Sequence, residues 1–323
     1  MKRQRFNLGR TPAARRSTAR TVPLALALML GTAGVLGLPG QASALPQKAA
    51  YAYETTALSA SSANLSSGMY SANGILISVN DGKVLMKKNI NQKVYPASMT
   101  KMMTVLVALE NIPDLQKKTT LPASMFAPLN KEGASMAGFL AGEKVKAIDL
   151  LYGSMLPSGA DASMGLAYAV SGSEAAFVKK MNQKAKKLGM KHTNFANVTG
   201  LPDAAHYTTV KDMSILMRSA LKNPTFRKLI TTHRYTMSPT NSHPKGMTVR
   251  STLSESAPTL NFKGGRILGG KTGYTRAAGL CLASLAVKDG REYILVTADA
   301  DGNPWSKPYH ILDALKVYPK IRK

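Results

Sequence analysis

The succession of apolar runs predicts an α+β domain in three layers, an antiparallel sheet flanked by helices with a helical subdomain between its strands. Three observations lead there. Strand-like runs lie at the two ends of the region after residue 70, and helical runs fill its middle. Asn80-Asp81-Gly82 and Lys288-Asp289-Gly290 are tight-turn signals between neighbouring strand-like runs. With 44% hydrophobic residues among 323, the chain can fill a sizeable core. No repeat is evident, and no linker divides residues 71–318.

The chain opens on a leader. Seven basic residues between Lys2 and Arg20, with no acid among them, precede the apolar stretch 22–38, and Ala42-Ser43-Ala44 fits a small-x-small cleavage site. Residues 1–44 therefore read as a signal peptide. No cysteine follows the apolar stretch, which excludes lipoprotein anchoring. No later segment approaches the roughly 20 apolar residues of a membrane span. The expectation is an extracytoplasmic protein, secreted or in the cell wall or periplasm, without a stable membrane anchor once cleaved. Residues 45–70, rich in Ala and Ser with scattered Tyr, read as a flexible lead-in.

The folded part should begin with a hairpin, strands 74–79 and 83–86 around Asn80-Asp81-Gly82. A helix follows over 98–109. Pro96 suits its first turn, where a missing N–H costs nothing, and Asn111-Ile112-Pro113 stops it. Residues 114–145 read as irregular, broken by Gly133, Gly138 and Gly142. Helices are expected over 145–156, stopped by Pro157, and over 162–170, with Ser158-Gly159-Ala160-Asp161 between them. The helix 173–188 has Ser173 as cap and Gly189 as stop. Thr209-Val210-Lys211-Asp212 resembles a capping box opening a helix to Leu221, and Asn223-Pro224 ends it. Strand-like stretches at 266–273, 283–287 and 292–297, a helix over 309–317 and a basic tail at 319–323 complete the chain.

Charge and cysteine content narrow the function classes. The formal charge is +26, and cleavage of the leader takes seven positive charges away, leaving +19. Such an excess attracts polyanions. Nucleic acid is not indicated for an exported chain without a binding motif, whereas anionic cell-wall polymers fit. Much of the charge, as at Lys179, Lys180, Lys184, Lys186 and Lys187, belongs to the solvated face of one helix. The single cysteine, Cys281, excludes an internal disulfide or a multi-cysteine metal site and reads as a small buried apolar residue. The five histidines show no metal-ligand spacing.

Within the 98–109 run, Lys101 is an ammonium in an otherwise apolar helix, a placement that carries a desolvation cost. Ser98 lies three residues before it, on the same helix face. A hydroxyl beside a buried base is what a nucleophilic serine requires, because burial lowers a lysine pKa. A lysine snorkelling to solvent beside an N-terminal helix serine explains the same two residues. Residues 265–272 satisfy G-x-x-x-x-G-K-T, but no hydrophobic strand precedes and no helix follows, so the match is coincidental. The other reading places Lys271-Thr272-Gly273 on an edge strand beside a cleft. There the lysine offers a fixed charge, the threonine a hydroxyl, and the glycine close backbone approach.

Ser98-x-x-Lys101, then Ser158 between two helices, then Lys271-Thr272-Gly273 follow the order of S-x-x-K, S-x-N and K-T-G. From about Ser71 to its C-terminus the chain resembles the low-molecular-mass penicillin-binding proteins, the serine-type D-alanyl-D-alanine carboxypeptidases of peptidase family S11. The stretches 95–104, 189–209 and 270–275, together with Gly200-Leu201-Pro202-Asp203, carry that resemblance. It implies a β-lactamase/transpeptidase-like fold and removal of the terminal D-Ala from peptidoglycan stem pentapeptides through a Ser98 acyl-enzyme. In that scheme Lys101 is the base and Ser158 a proton relay. Lys271, Thr272, Gly273 and Tyr274 bind the substrate, with the Ser98 and Tyr274 amides as oxyanion donors. β-lactam antibiotics are implied as covalent inhibitors, and no cofactor or metal is needed.

One departure stands out. The family's S-x-N is here Ser158-Gly159-Ala160, which bears on rate and substrate preference more than on reaction class. A D,D-endopeptidase cutting cross-links uses the same machinery, and a catalytically weak penicillin- or wall-binding protein is the reading from another class. A β-lactamase would need a second acid placed for deacylation, and none is evident.

Overall fold

The computed structural model describes residues 64–322. The expected signal peptide and most of the lead-in lie outside the described residues. A six-stranded antiparallel sheet in the order β2-β1-β10-β9-β8-β7 forms the middle layer. Its strands are β1 (Ser71–Ser78), β2 (Val84–Lys88), β7 (Asn261–Phe262), β8 (Gly265–Thr275), β9 (Gly279–Lys288) and β10 (Arg291–Ala300). The two expected hairpins are present. Lys288 pairs with Arg291 across Asp289 and Gly290, at φ +47° and +75°, the two left-handed residues of a tight primed turn.

Period-two alternation gives the sheet two buried faces. Ile75, Ile77, Cys281, Ala283, Leu285, Ile294 and Val296 join one core with the central helices. Leu76, Leu282, Ala286 and Leu295 join a second with Ile311, Ala314, Val317 and Tyr318. Each buried Leu, Ile or Val contributes roughly 1.5–3 kcal/mol, so both faces are strongly specified. The second core reaches back before residue 71, because Leu65 and Met69 are buried in it. Tyr70 and Ser71 donate their amides to the buried Asp313 carboxylate at 2.7 and 2.8 Å.

The helical layer contains α1 (Lys101–Asn111), α2 (Phe126–Lys131), α3 (Ala147–Met155), α4 (Ala160–Ser171), α5 (Glu174–Leu188), α6 (Val210–Ala220), α7 (Pro224–Thr231) and α8 (Thr252–Ser256). Helix α9 (Tyr309–Val317) covers the opposite face. Several elements depart from expectation. The 98–109 run begins as a 3-10 turn, Ala97–Thr100, because Ala97 holds φ +45° and cannot continue α geometry. Lys144–Lys146 is a strand, β4, paired with β3 (Lys118–Thr120), and α3 starts only at Ala147. Arg234–Thr236 (β5) and Thr248–Arg250 (β6) form a second short ribbon. These strands are too short for their alternation to stand out in the sequence.

Two capping signals also resolve differently. Thr209 accepts the Asp212 amide at 3.0 Å. The Asp212 carboxylate, however, turns to the His192 amide and the Thr193 hydroxyl, both at 2.8 Å, so only half of the capping box forms. Asn223-Pro224 does more than end α6. The Asn223 side chain accepts the Thr225 and Phe226 amides and Pro224 occupies the first turn, so the same pair starts α7. The start of α1, the α3–α4 connection and the outer edge of β8 converge on one site. β7 pairs β8 only at Gly265 and Arg266, which leaves Lys271-Thr272-Gly273 on an edge.

Candidate active site

The nucleophile position is built by strain and close approach. Ala97 at φ +45° and Ser158 at +66° are left-handed; among the described residues the other non-glycine examples are Asn and Asp, which tolerate that region. Such strain concentrates at functional sites. Gly200, at φ +86°, packs so tightly on this turn that a Cβ there would fall 1.9 Å from the Ala97 carbonyl oxygen. From the sheet side, a Cβ on Gly273 would come within 3.0 Å of the Ser98 nitrogen. Glycines on both sides let two backbones close on Ser98.

Lys101 is 2% exposed. Its Nζ lies 3.0 Å from Ser98 Oγ and donates to the Thr199 carbonyl at 2.6 Å. Snorkelling is therefore excluded. Burial pushes its pKa down to about 7, against a smaller opposing pull from the Asp161 carboxylate. A neutral amine can keep an N–H on Thr199 and turn its lone pair to the serine hydroxyl, the arrangement of a general base. The sign follows directly: protonation removes the lone pair, so serine acylation should fall as pH drops through about 7 and level off above it. Penicillin acylation rates between pH 5.5 and 9 check this; a flat profile would count against Lys101 as base.

The segment behind Lys101 is fixed along α1. Thr104 donates to the Val198 carbonyl at 2.8 Å. Asn197 Oδ1 accepts the Gly200 amide at 2.7 Å. His206 Nδ1 accepts the Ala196 amide at 3.0 Å, so the neutral ring carries its proton on Nε2 and donates it to Thr100 Oγ1 at 2.7 Å. Burial lowers the His206 pKa to about 4, which keeps that tautomer at neutral pH.

Lys271 is fully buried and faces Ser158 rather than solvent. Its Nζ donates to Ser158 Oγ at 3.0 Å and to the Thr272 carbonyl at 2.8 Å. Burial, and then the charge of Lys101, push its pKa well below the usual lysine value. Thr272 Oγ1 lies 2.6 Å from Thr252 Oγ1, and both Thr272 and Tyr274 are half-buried. The structure thus brings Ser98–Lys101 and Ser158–Lys271 together as two serine–lysine pairs, with Gly273 against Ser98.

Ala160, at the position of the family's asparagine, is buried at the start of α4, and its amide donates to the Ser135 carbonyl at 2.7 Å. Asp161 takes a different task. Its carboxylate accepts the amides of Ala137, Gly138 and Phe139 at 2.8–3.0 Å, fixing the loop that borders Ser158. Sequence reasoning gave no role to Thr199, Gly200, His206, Thr252 or Asp161. Gly200 carried a signal in Gly200-Leu201-Pro202-Asp203; Thr252 carried none.

Fold and site together have the arrangement of a serine hydrolase, with a buried lysine amine beside the serine hydroxyl. Comparison with known proteins narrows it. The family model for D-alanyl-D-alanine carboxypeptidase, peptidase S11, matches residues 58–302, and the chain belongs to that family. It is 36% identical over 230 residues to the D-alanyl-D-alanine carboxypeptidase DacF of Bacillus subtilis, covering 70% of this chain and 56% of DacF. A D-alanyl-D-alanine endopeptidase of Pseudomonas aeruginosa is 31% identical, with 76% of each chain covered. Among solved structures, the Streptomyces K15 DD-transpeptidase aligns with a TM-score of 0.69 at 29% identity, over 78% of this chain and 97% of that one.

Proposed function

We propose that the chain removes the terminal D-Ala from peptidoglycan stem pentapeptides outside the cytoplasm, through an acyl-enzyme on Ser98. The observation that carries this reading is the buried Lys101 amine 3.0 Å from Ser98 Oγ. Neutral Lys101 takes the hydroxyl proton as Ser98 Oγ attacks the D-Ala-D-Ala carbonyl. The Ser98 and Tyr274 amides hold the developing oxyanion, each such donor being worth roughly 3 kcal/mol. Ser158 passes the proton to the departing D-Ala nitrogen. Thr272 receives the terminal carboxylate on the exposed side of β8, and Lys271 acts from behind through its charge. An arriving carboxylate favours the protonated form of Lys271 and so reverses part of its downward shift. Water then releases the shortened peptide and frees Ser98. Ala160 offers no amide to the substrate, which leaves Ser158 as the polar side chain of that motif.

Intact mass spectrometry after penicillin treatment tests the nucleophile. One covalent adduct is expected on the wild-type protein and none on Ser98→Ala; an unmodified wild-type mass would sink the proposal. The relationship to the Pseudomonas endopeptidase favours a second reading, cleavage of D,D-cross-links. D-Ala release from a pentapeptide, set beside digestion of purified cross-linked muropeptides, separates the two.

A further inference from the structure

We infer that the β3–β4 ribbon is a docking surface for a linear phosphate-rich polyanion of the cell envelope. Its register sets Lys118 opposite Lys146 and Thr120 opposite Lys144. Alternation places the three lysines on one face, opposite the fully buried Val145, with Lys118 and Lys144 exposed and Lys146 half-buried. Their Cβ atoms are then about 5 Å apart across the ribbon and about 7 Å apart along it. Like charges directly opposite destabilise a strand pair. Yet among the described residues none of these lysines forms an ion pair.

The neighbouring carboxylate does not compensate. Glu143 is buried, and its oxygens bond to Thr240, His243 and the Leu140 amide. Helix α5 differs in part, since its Lys184 pairs with Glu110 and its Lys180 bonds to Asn111, while its Lys179, Lys186 and Lys187 lie along a helix rather than in a paired row. The ribbon is also held rigid. Asn241 accepts the Lys144 amide at 2.8 Å, Leu121 donates to the Glu143 carbonyl at 2.9 Å, and Ala147 to the Lys117 carbonyl at 3.0 Å. A preorganised row of uncompensated cations loses little entropy on meeting a regularly charged chain. The chain's overall positive charge draws such a polymer in. A bilayer fits less well, because Leu140 is the only exposed large apolar residue close to the ribbon in sequence.

The inference rests on the extracytoplasmic reading, but its test does not depend on peptidase activity. Binding of inorganic polyphosphate is measured against salt concentration, using Ser98→Ala protein as the parent. By the counterion-release rule for single-stranded polyanions, Lys118→Gln/Lys144→Gln/Lys146→Gln should flatten the log–log salt slope by about 2 and weaken binding on the order of 10-fold or more at low salt. The control Lys179→Gln/Lys186→Gln/Lys187→Gln removes the same charge from α5 and should change affinity less than about twofold. Equal losses in both variants would reduce the effect to net charge and overturn the inference, as would an unchanged ribbon variant. Ribbon-dependent binding to phosphatidylglycerol vesicles without binding to polyphosphate would overturn it too. Penicillin labelling of the same variants with Ser98 restored reports folding. If the triple variant fails to label, the single Gln variants carry the test, each flattening the slope by about 0.7.

Discussion

Replacing Lys101 with methionine is expected to slow acylation of Ser98 by penicillin roughly 10²–10⁴-fold, the contribution of a positioned general base. Methionine keeps the length and apolar stem of the side chain but removes the amine 3.0 Å from Ser98 Oγ. The effect on stability should be quite different. Losing the donor to Thr199 leaves a buried carbonyl unsatisfied, at a cost of about 1–3 kcal/mol. Against this, the variant no longer holds an amine that burial alone drives to a pKa of about 7. The melting temperature should therefore stay within about 10 °C of wild type. Stopped labelling with a fluorescent penicillin, read beside a thermal melt, checks both parts. Wild-type labelling by Lys101→Met would remove Lys101 from the chemistry.

The second large effect is expected at a residue that touches no substrate. Gly200→Ala would place a methyl 1.9 Å from the Ala97 carbonyl oxygen while also straining a φ of +86°. Ala97 has little freedom to yield, because its own φ is +45° and it leads directly into Ser98. We expect acylation to fall at least tenfold, as misplacement of a reacting group by about 1 Å does. Stability should drop by more than about 1 kcal/mol, or several degrees in melting temperature. Gly172→Ala is the matched control, since Gly172 has φ +70° but nothing within 4 Å of an added Cβ. If the two variants behave alike, backbone strain alone explains Gly200, and close packing on the nucleophile turn does not.

These two positions show what was legible in the sequence. Lys101 announced itself because a charge inside an apolar helix is a chemical anomaly, and its S-x-x-K spacing supplied a reason. Lys271 and Ser158 were legible only as members of an ordered set, since each alone is an ordinary polar residue. The sheet and both hairpins followed from alternation and turn chemistry. The β3–β4 and β5–β6 ribbons did not, because three residues are too few to establish a period. His206 and Thr199 stayed hidden for another reason. Their work is done through backbone amides and carbonyls of residues 196–200, and a carbonyl that receives the lysine proton leaves no mark on residue type. Asp161 had no role in the sequence beyond its place in the α3–α4 connection, whereas its carboxylate holds three amides of a loop more than 20 positions earlier.

The pairing of β1 with β10, which sets Ser71 beside Ala300, has a consequence for how the protein is made. The middle of the sheet joins the beginning of the domain to its end, so it cannot close until β10 has been made. Ser98 and Lys101 are delivered early, but Lys271 and the strand that brings Gly273 against them arrive some 170 residues later. A partly synthesised chain therefore carries Ser98 and Lys101 without the rest of the site. Contacts this distant in sequence also fold slowly. Reactivity toward acyl donors thus appears only with the final strands, and a covalent penicillin adduct reports completed folding as well as chemistry.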